Sequence, residues 1–177
     1  NQIEKFLGRV ISKPVAIEEK EKATLVEKLE ALELKYPITP MPGAIRFLEN
    51  FSNRNPEIVF GIVSDAIYTP GKNIRKILEN LNLLKFFKFF AFSDEVGFSK
   101  PSEHIFYALK NSAKVEVQEF IHIGDRVIND IEGFQRLGGT AIHCKVNDKE
   151  NISPQMTPSF DKYEDLEGLI IKIKDKM

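Results

Sequence analysis

Ile121-His122-Ile123-Gly124-Asp125-Arg126-Val127-Ile128-Asn129-Asp130 is the stretch whose reading decides the fold. An apolar run breaks at Gly124-Asp125 and resumes with helical spacing. Asp125 is therefore expected at the carboxyl end of a strand, with Asp130 about one helical turn further on. In an open parallel sheet, ligands bind in the crevice outside the carboxyl ends of the strands. Two carboxylates converging on that crevice suit Mg²⁺ beside a phosphate, because one or two carboxylates are the usual protein ligands of this hard cation.

Working outward, strand and helix signals alternate. Ala44, Phe47, Leu48 and Phe51 fall at helix spacing, and Ile58-Val59-Phe60-Gly61-Ile62-Val63 reads as a buried parallel strand. A helix carrying Ile74, Ile77, Leu78 and Leu81 follows, then a short strand Phe89-Phe90-Ala91-Phe92 that ends at Ser93-Asp94. The next helix holds Ile105, Phe106 and Leu109. Beyond the opening stretch, Ile131, Phe134 and Leu137 face inward from a helix capped by Gly138-Gly139, before the strand Thr140-Ala141-Ile142-His143-Cys144. A last helix spans roughly 164–173. Strands alternating with helices of this length imply right-handed crossovers and an α/β fold with a Rossmann-like, doubly wound parallel sheet covered on both faces.

The first 36 residues are different in character. They are strongly charged, and Leu25, Leu29, Leu32 and Tyr36 recur at spacings of four, three and four, the stripe of an amphipathic helix. Pro37, Pro40, Pro42 and Gly43 then punctuate the chain and make its clearest internal boundary. A length of 177 residues allows one well-cored domain with a small appendage. A net charge of -1 gives no global attraction to nucleic acid or to an anionic membrane, and no run of about 18 apolar residues suggests a span. The single cysteine, Cys144, excludes an internal disulfide and fits a reducing, cytoplasmic setting. Oligomeric state is not legible.

Polar residues stand at successive strand ends: Ser64 in Val63-Ser64-Asp65, Lys100 in Gly97-Phe98-Ser99-Lys100-Pro101, then Asp125 with Asp130. In that order they resemble motifs two, three and four of the haloacid dehalogenase-like hydrolase superfamily, most of whose members are Mg²⁺-dependent phosphatases. The flanks Phe92-Ser93-Asp94-Glu95-Val96-Gly97 and Asn129-Asp130-Ile131-Glu132-Gly133 look like its subgroup with a helical cap inserted after the first motif. The resemblance implies that residues 1–36 are the remnant of the cap and that residues 37–177 form the core. It also implies roles. Ser64, Asp65 and Lys100 would bind a small phosphorylated substrate, with Ser64 donating to a phosphoryl oxygen and Lys100 placing a charge between phosphate and nucleophile. Asp125 would ligate Mg²⁺, and Asp130 would act behind it, through water or by fixing Lys100. Ser64, Lys100 and Asp125 form the catalytic set.

One part of the pattern is missing. The first motif of this superfamily is a strand ending in Asp-x-Asp, whose first aspartate is the nucleophile. No Asp-x-Asp occurs in the 177 residues. Reading Ile62 to Thr69 as a degenerate first motif, with Asp65 attacking, leaves no room for a separate second motif before Lys100, and Ile67 cannot transfer a proton. The chain begins at Asn1 rather than Met. The expectation is a core lacking its first strand, supplied from upstream or by another polypeptide, and inactive alone. A noncatalytic binding or regulatory module is the alternative from another class. A 2-haloacid dehalogenase would share Ser64 and Lys100, but it has no need of Mg²⁺ and so leaves the acid pair unexplained.

The remaining candidates have plainer explanations. His104, His122 and His143 lack metal-ligand spacing and suit core or surface positions. Phe86, Phe87, Phe89, Phe90 and Phe92 suit a hydrophobic core. Gly71-Lys72 lacks the glycine-rich approach of a nucleotide-binding loop.

Overall fold

Alternating apolar segments build a layered α/β molecule in the computed structural model, which describes residues 18–36, 38–147, 154 and 156–176. In chain order the elements are α1 (Glu19–Glu33), α2 (Ala44–Arg54), β1 (Phe60–Ser64), α3 (Gly71–Asn80) and β2 (Phe87–Phe92). A short α4 (Ser93–Val96), α5 (Glu103–Ala113) and β3 (Ile121–Gly124) follow. A π-helical turn, Val127–Glu132, runs into the short α6 (Gly133–Gln135). Then come β4 (Thr140–Cys144), β5 (Ser159–Phe160) and α7 (Tyr163–Lys174).

Every strand pairing is parallel. β1 pairs with β2, placing Ser64 opposite Phe92, while β3 pairs with β4, placing Gly124 opposite His143. β5 adds two residues beyond β4 and is too short to leave a periodic signal in the sequence. Helices cover both faces, as the alternating pattern requires. On one face, Phe47 and Phe51 of α2 and Leu166 and Ile170 of α7 pack with Ile142 and Phe160, and Phe60, Ile121 and Ile123 lean against them. On the other, Ile105 and Phe106 of α5 meet Ile131, Phe134, Ala91 and Ala141, with Val63 alongside. Each cluster draws residues from both pairs of strands, so the two halves form one layer.

Among the described residues, β1 pairs only with β2 and β3 only with β4, whose far side pairs with β5, so one edge of β1 and one edge of β3 carry no ladder. Burial follows suit. Ala141 to Cys144 of β4 are buried, whereas β3 is half-buried throughout and Gly61 of β1 is exposed. A mid-sheet strand would ordinarily be the better covered.

The amino-terminal segment departs from its sequence pattern. The helix forms, but it ends at Glu33, and Leu29, Leu32 and Tyr36 are exposed rather than turned to the core. Its contact face is polar. Asn73 of α3 donates to the Glu30 carbonyl at 3.0 Å and the Glu33 carboxylate at 3.1 Å, Thr69 donates to Glu33 at 3.0 Å, and Lys72 pairs with Glu30 at 2.6 Å. The start of α3 offers donors rather than an apolar surface, so hydrogen bonding decides which side docks. Residues 1–17 of the expected cap remnant lie outside the described residues.

Candidate active site

Ser64 closes β1, and Asp65 turns from it into a network. The Asp65 side chain is 8% exposed. It accepts the Lys100 backbone N–H at 2.8 Å and the Asn129 amide at 3.3 Å. Asn129 also donates to the Lys100 carbonyl at 3.1 Å. These bonds satisfy buried main-chain groups of an irregular loop, which would otherwise be expensive to keep dry. They also fix where the Lys100 side chain begins.

Its far end is fixed by Asp130. Lys100 Nζ donates to Asp130 Oδ1 at 2.6 Å, with the two side chains 11% and 2% exposed. His122, in the tautomer carrying its proton on Nε2, donates to the same oxygen at 3.2 Å, and the Arg126 backbone N–H reaches Oδ2 at 3.0 Å. Burial disfavours the charged carboxylate. The His122 hydrogen bond, the Lys100 ammonium and the Arg126 N–H outweigh that and hold Asp130 well below the usual carboxylate range. The π turn helps, since Ile131 N–H reaches back to the Arg126 carbonyl five residues away and Asp130 N–H bonds the same oxygen at 2.7 Å. Gly124 is required because a Cβ there would fall on the Asp130 side chain. His122 is wedged between Phe106 and Phe134, each with its ring centroid 5.3 Å away.

Asp125 is exposed at the carboxyl end of β3. The buried His143 ring donates from Nε2 to its carbonyl at 3.2 Å, tying the end of β3 to β4. Behind it, burial raises the Cys144 thiol, and burial with the neighbouring Cys144 and Asp125 pushes the Tyr163 hydroxyl up to about 12. Cys144 is thus a protonated core thiol rather than an activated nucleophile. A cavity of about 370 Å³ opens beside this network, lined by Ser64, Asp65, Ile67, Ile74 and Arg126 among others. Among the described residues there is no group of three or more His, Cys, Asp or Glu side chains placed to hold a metal. Both Asp130 oxygens already accept protein donors, so its contact in this arrangement is with Lys100. Asp125 is the member of the acid pair that lies on the rim.

Residues 2–143 match the haloacid dehalogenase-like hydrolases. The chain belongs to that family. An uncharacterized Saccharomyces cerevisiae protein is 34% identical over 124 residues, which are 61% of this chain and 39% of that protein. The glyceraldehyde 3-phosphate phosphatase of Pyrococcus furiosus is 34% identical over 105 residues, 59% of this chain and 42% of the enzyme. The crystal structure of a HAD phosphatase from Thermococcus onnurineus superposes with a TM-score of 0.68 at 26% identity, covering 80% of this chain and 63% of the other. The chain spans less than half the length of the curated relatives it matches. Among the described residues no helix is long and apolar enough to cross a membrane.

Within this haloacid dehalogenase-like core, Asp65, Lys100 and Asp130 are joined through the direct hydrogen bonds above, Ser64 is the last residue of β1 and Asp125 follows the last residue of β3. Three further residues escaped sequence reasoning. Asn129 and Arg126 lie inside the opening stretch, where polar side chains on the first turn after a strand were a usable signal. His122 gave none, because only the packing of the π turn against β3 brings its ring to Asp130.

Proposed function

We propose that this chain is the core of a Mg²⁺-dependent phosphatase acting on a small phosphorylated substrate. The observation that carries this reading is the buried Lys100–Asp130 pair, tied through the Lys100 N–H to Asp65, the residue that follows Ser64 at the end of β1. Asp130 stays ionised and holds the Lys100 ammonium stationary, so the positive charge does not have to be reorganised when a phosphoryl group arrives. Ser64 would donate its hydroxyl to a phosphoryl oxygen, and Asp65 would order the loop between the two.

The attacking carboxylate belongs, in this reading, to an Asp-x-Asp strand from outside the 177 residues. The open edges of β1 and β3, in a layer covered on both faces, support a parallel strand between them. The carboxylate oxygen would bond to phosphorus as the ester P–O bond breaks and the leaving oxygen takes a proton. Water would then cleave the aspartyl-phosphate to release inorganic phosphate. Asp125 would be this chain's carboxylate on Mg²⁺, and the ion would supply charge compensation at the phosphoryl oxygens. The buried thiol of Cys144 is in keeping with a reducing, cytosolic setting.

The test is phosphate release from p-nitrophenyl phosphate with Mg²⁺, by this chain and by a form extended upstream through an Asp-x-Asp strand. Release by the extended form alone is the expected result. Silence from both favours a noncatalytic binding or regulatory module, the reading that the absent Asp-x-Asp supports. Halide release from a 2-haloacid without Mg²⁺ would mark a dehalogenase instead. In the active form, Asp125→Ala should abolish Mg²⁺-dependent turnover while leaving the melting temperature nearly unchanged, and wild-type turnover by that variant would remove Asp125 from the mechanism.

A further inference from the structure

The rim holds a second cation that the phosphoryl chemistry above does not use. Arg126 spends its backbone N–H on Asp130, but its side chain is 58% exposed and hydrogen-bonds none of the described residues. Its nearest charged partner among the described residues is Asp65 Oδ2, 3.7 Å from Nη1, which is an ion pair too long to be a hydrogen bond. Asp65 is already committed to the Lys100 N–H and the Asn129 amide. Asp65 therefore orients the guanidinium without consuming its donors, and the planar fork stays available for a flat, two-oxygen acceptor.

Arg126 lines the same cavity as Ser64, and Ile67, Ile74 and Ile77 give that cavity an apolar wall. A molecule with its phosphoryl group at Ser64 would thus run over an apolar surface and reach the guanidinium. We infer that Arg126 is a specificity residue that selects phosphate monoesters bearing a carboxylate at the end remote from the phosphoryl group. This rests on the phosphatase reading and extends it to a substrate class. Charge favours a carboxylate over a second phosphate. The guanidinium already faces the Asp65 carboxylate, so a singly charged carboxylate adds less uncompensated negative charge there than a dianionic phosphate would.

The experiment measures binding, by calorimetry, of butylphosphonate, 3-carboxypropylphosphonate and 1,3-propanebisphosphonate to this chain with Mg²⁺ present. The carboxylated probe should bind about tenfold more tightly than butylphosphonate, the scale of one charge-assisted hydrogen-bonded pair. That ratio should fall to near one in Arg126→Gln and be partly kept in Arg126→Lys. Equal affinities for the first two probes, a ratio that survives Arg126→Gln, or tightest binding of the bisphosphonate would each overturn the inference. Butylphosphonate binding that weakens in Ser64→Ala isolates the phosphate subsite, so failure at Arg126 is distinguishable from failure of the phosphatase reading. Absence of binding by all three probes overturns the inference, while phosphate release by the extended form tests the phosphatase reading separately.

Discussion

Asp130 is a buried anion whose two oxygens accept from an ammonium, an imidazole and a backbone amide. Removing one partner of such a pair leaves a charge in low dielectric with nothing to offset it. Lys100→Ala should therefore destabilise the chain by about 3–5 kcal/mol, read from urea unfolding. A Lys100→Met, Asp130→Leu double variant should recover most of that loss, because an apolar pair of similar volume is often no worse than the ions it replaces. A double variant as unstable as the single one would show that the charges hold the loop in a way packing cannot. The pH dependence follows from the depressed Asp130 carboxyl. Its stabilising contribution is complete well above the ordinary value of 3.8 and is lost as pH falls below that and through the lower folded value. The stability gap between wild type and Asp130→Asn should accordingly be constant near neutrality and narrow progressively below about pH 4. A gap unchanged down to pH 2 would contradict the depressed carboxyl. At this scale the sequence named Ser64, Lys100, Asp125 and Asp130 but not His122, because a contact between a strand and the following turn depends on packing that periodicity does not encode.

Among elements, α1 is attached most weakly. Among the described residues it makes four polar contacts to Thr69, Lys72 and Asn73, while Leu32 stays 45% exposed. Net hydrogen bonds contribute about 1 kcal/mol each, against roughly 1.5–3 kcal/mol for a fully buried leucine. The helix should then open independently of the sheet. Asn73→Ala should accelerate hydrogen exchange of the α1 amides several-fold while those of β4 keep their protection. Equal acceleration in both would mean that α1 belongs to the cooperative core. The charged stretch announced a helix here, and its leucine spacing suggested which face would dock. The partner surface reversed that, since the start of α3 presents Lys72 and Asn73 to it. At the other end of the site, helical periodicity after Asp125 was legible, but its π geometry was not. That turn is set by Asp130 folding back over Gly124 onto the Arg126 N–H.

For the whole molecule, the edges of β1 and β3 that pair with none of the described residues are the chief consequence of the arrangement. Amides pointing from these edges should exchange faster than the amides of β4. An upstream extension that supplies a strand should slow them and raise the melting temperature together. Exchange at β1 and β3 as slow as at β4 in this chain would show that the edges are covered. The amino-acid order alone determined the α/β alternation, the parallel strands and the places of Ser64 and Asp125 at the ends of β1 and β3, whereas Lys100 lies in a loop beyond β2 and the short α4. It could do so because burial on both faces forces apolar runs, and the polar residues that end those runs mark where the strands stop. Only the tertiary structure decided that Asp130 faces Lys100 and His122, that Arg126 turns to the cavity beside Ser64, and which side of α1 meets the core. Those outcomes depend on which donors and acceptors are left over once the sheet and helices have packed, a quantity that no local pattern contains.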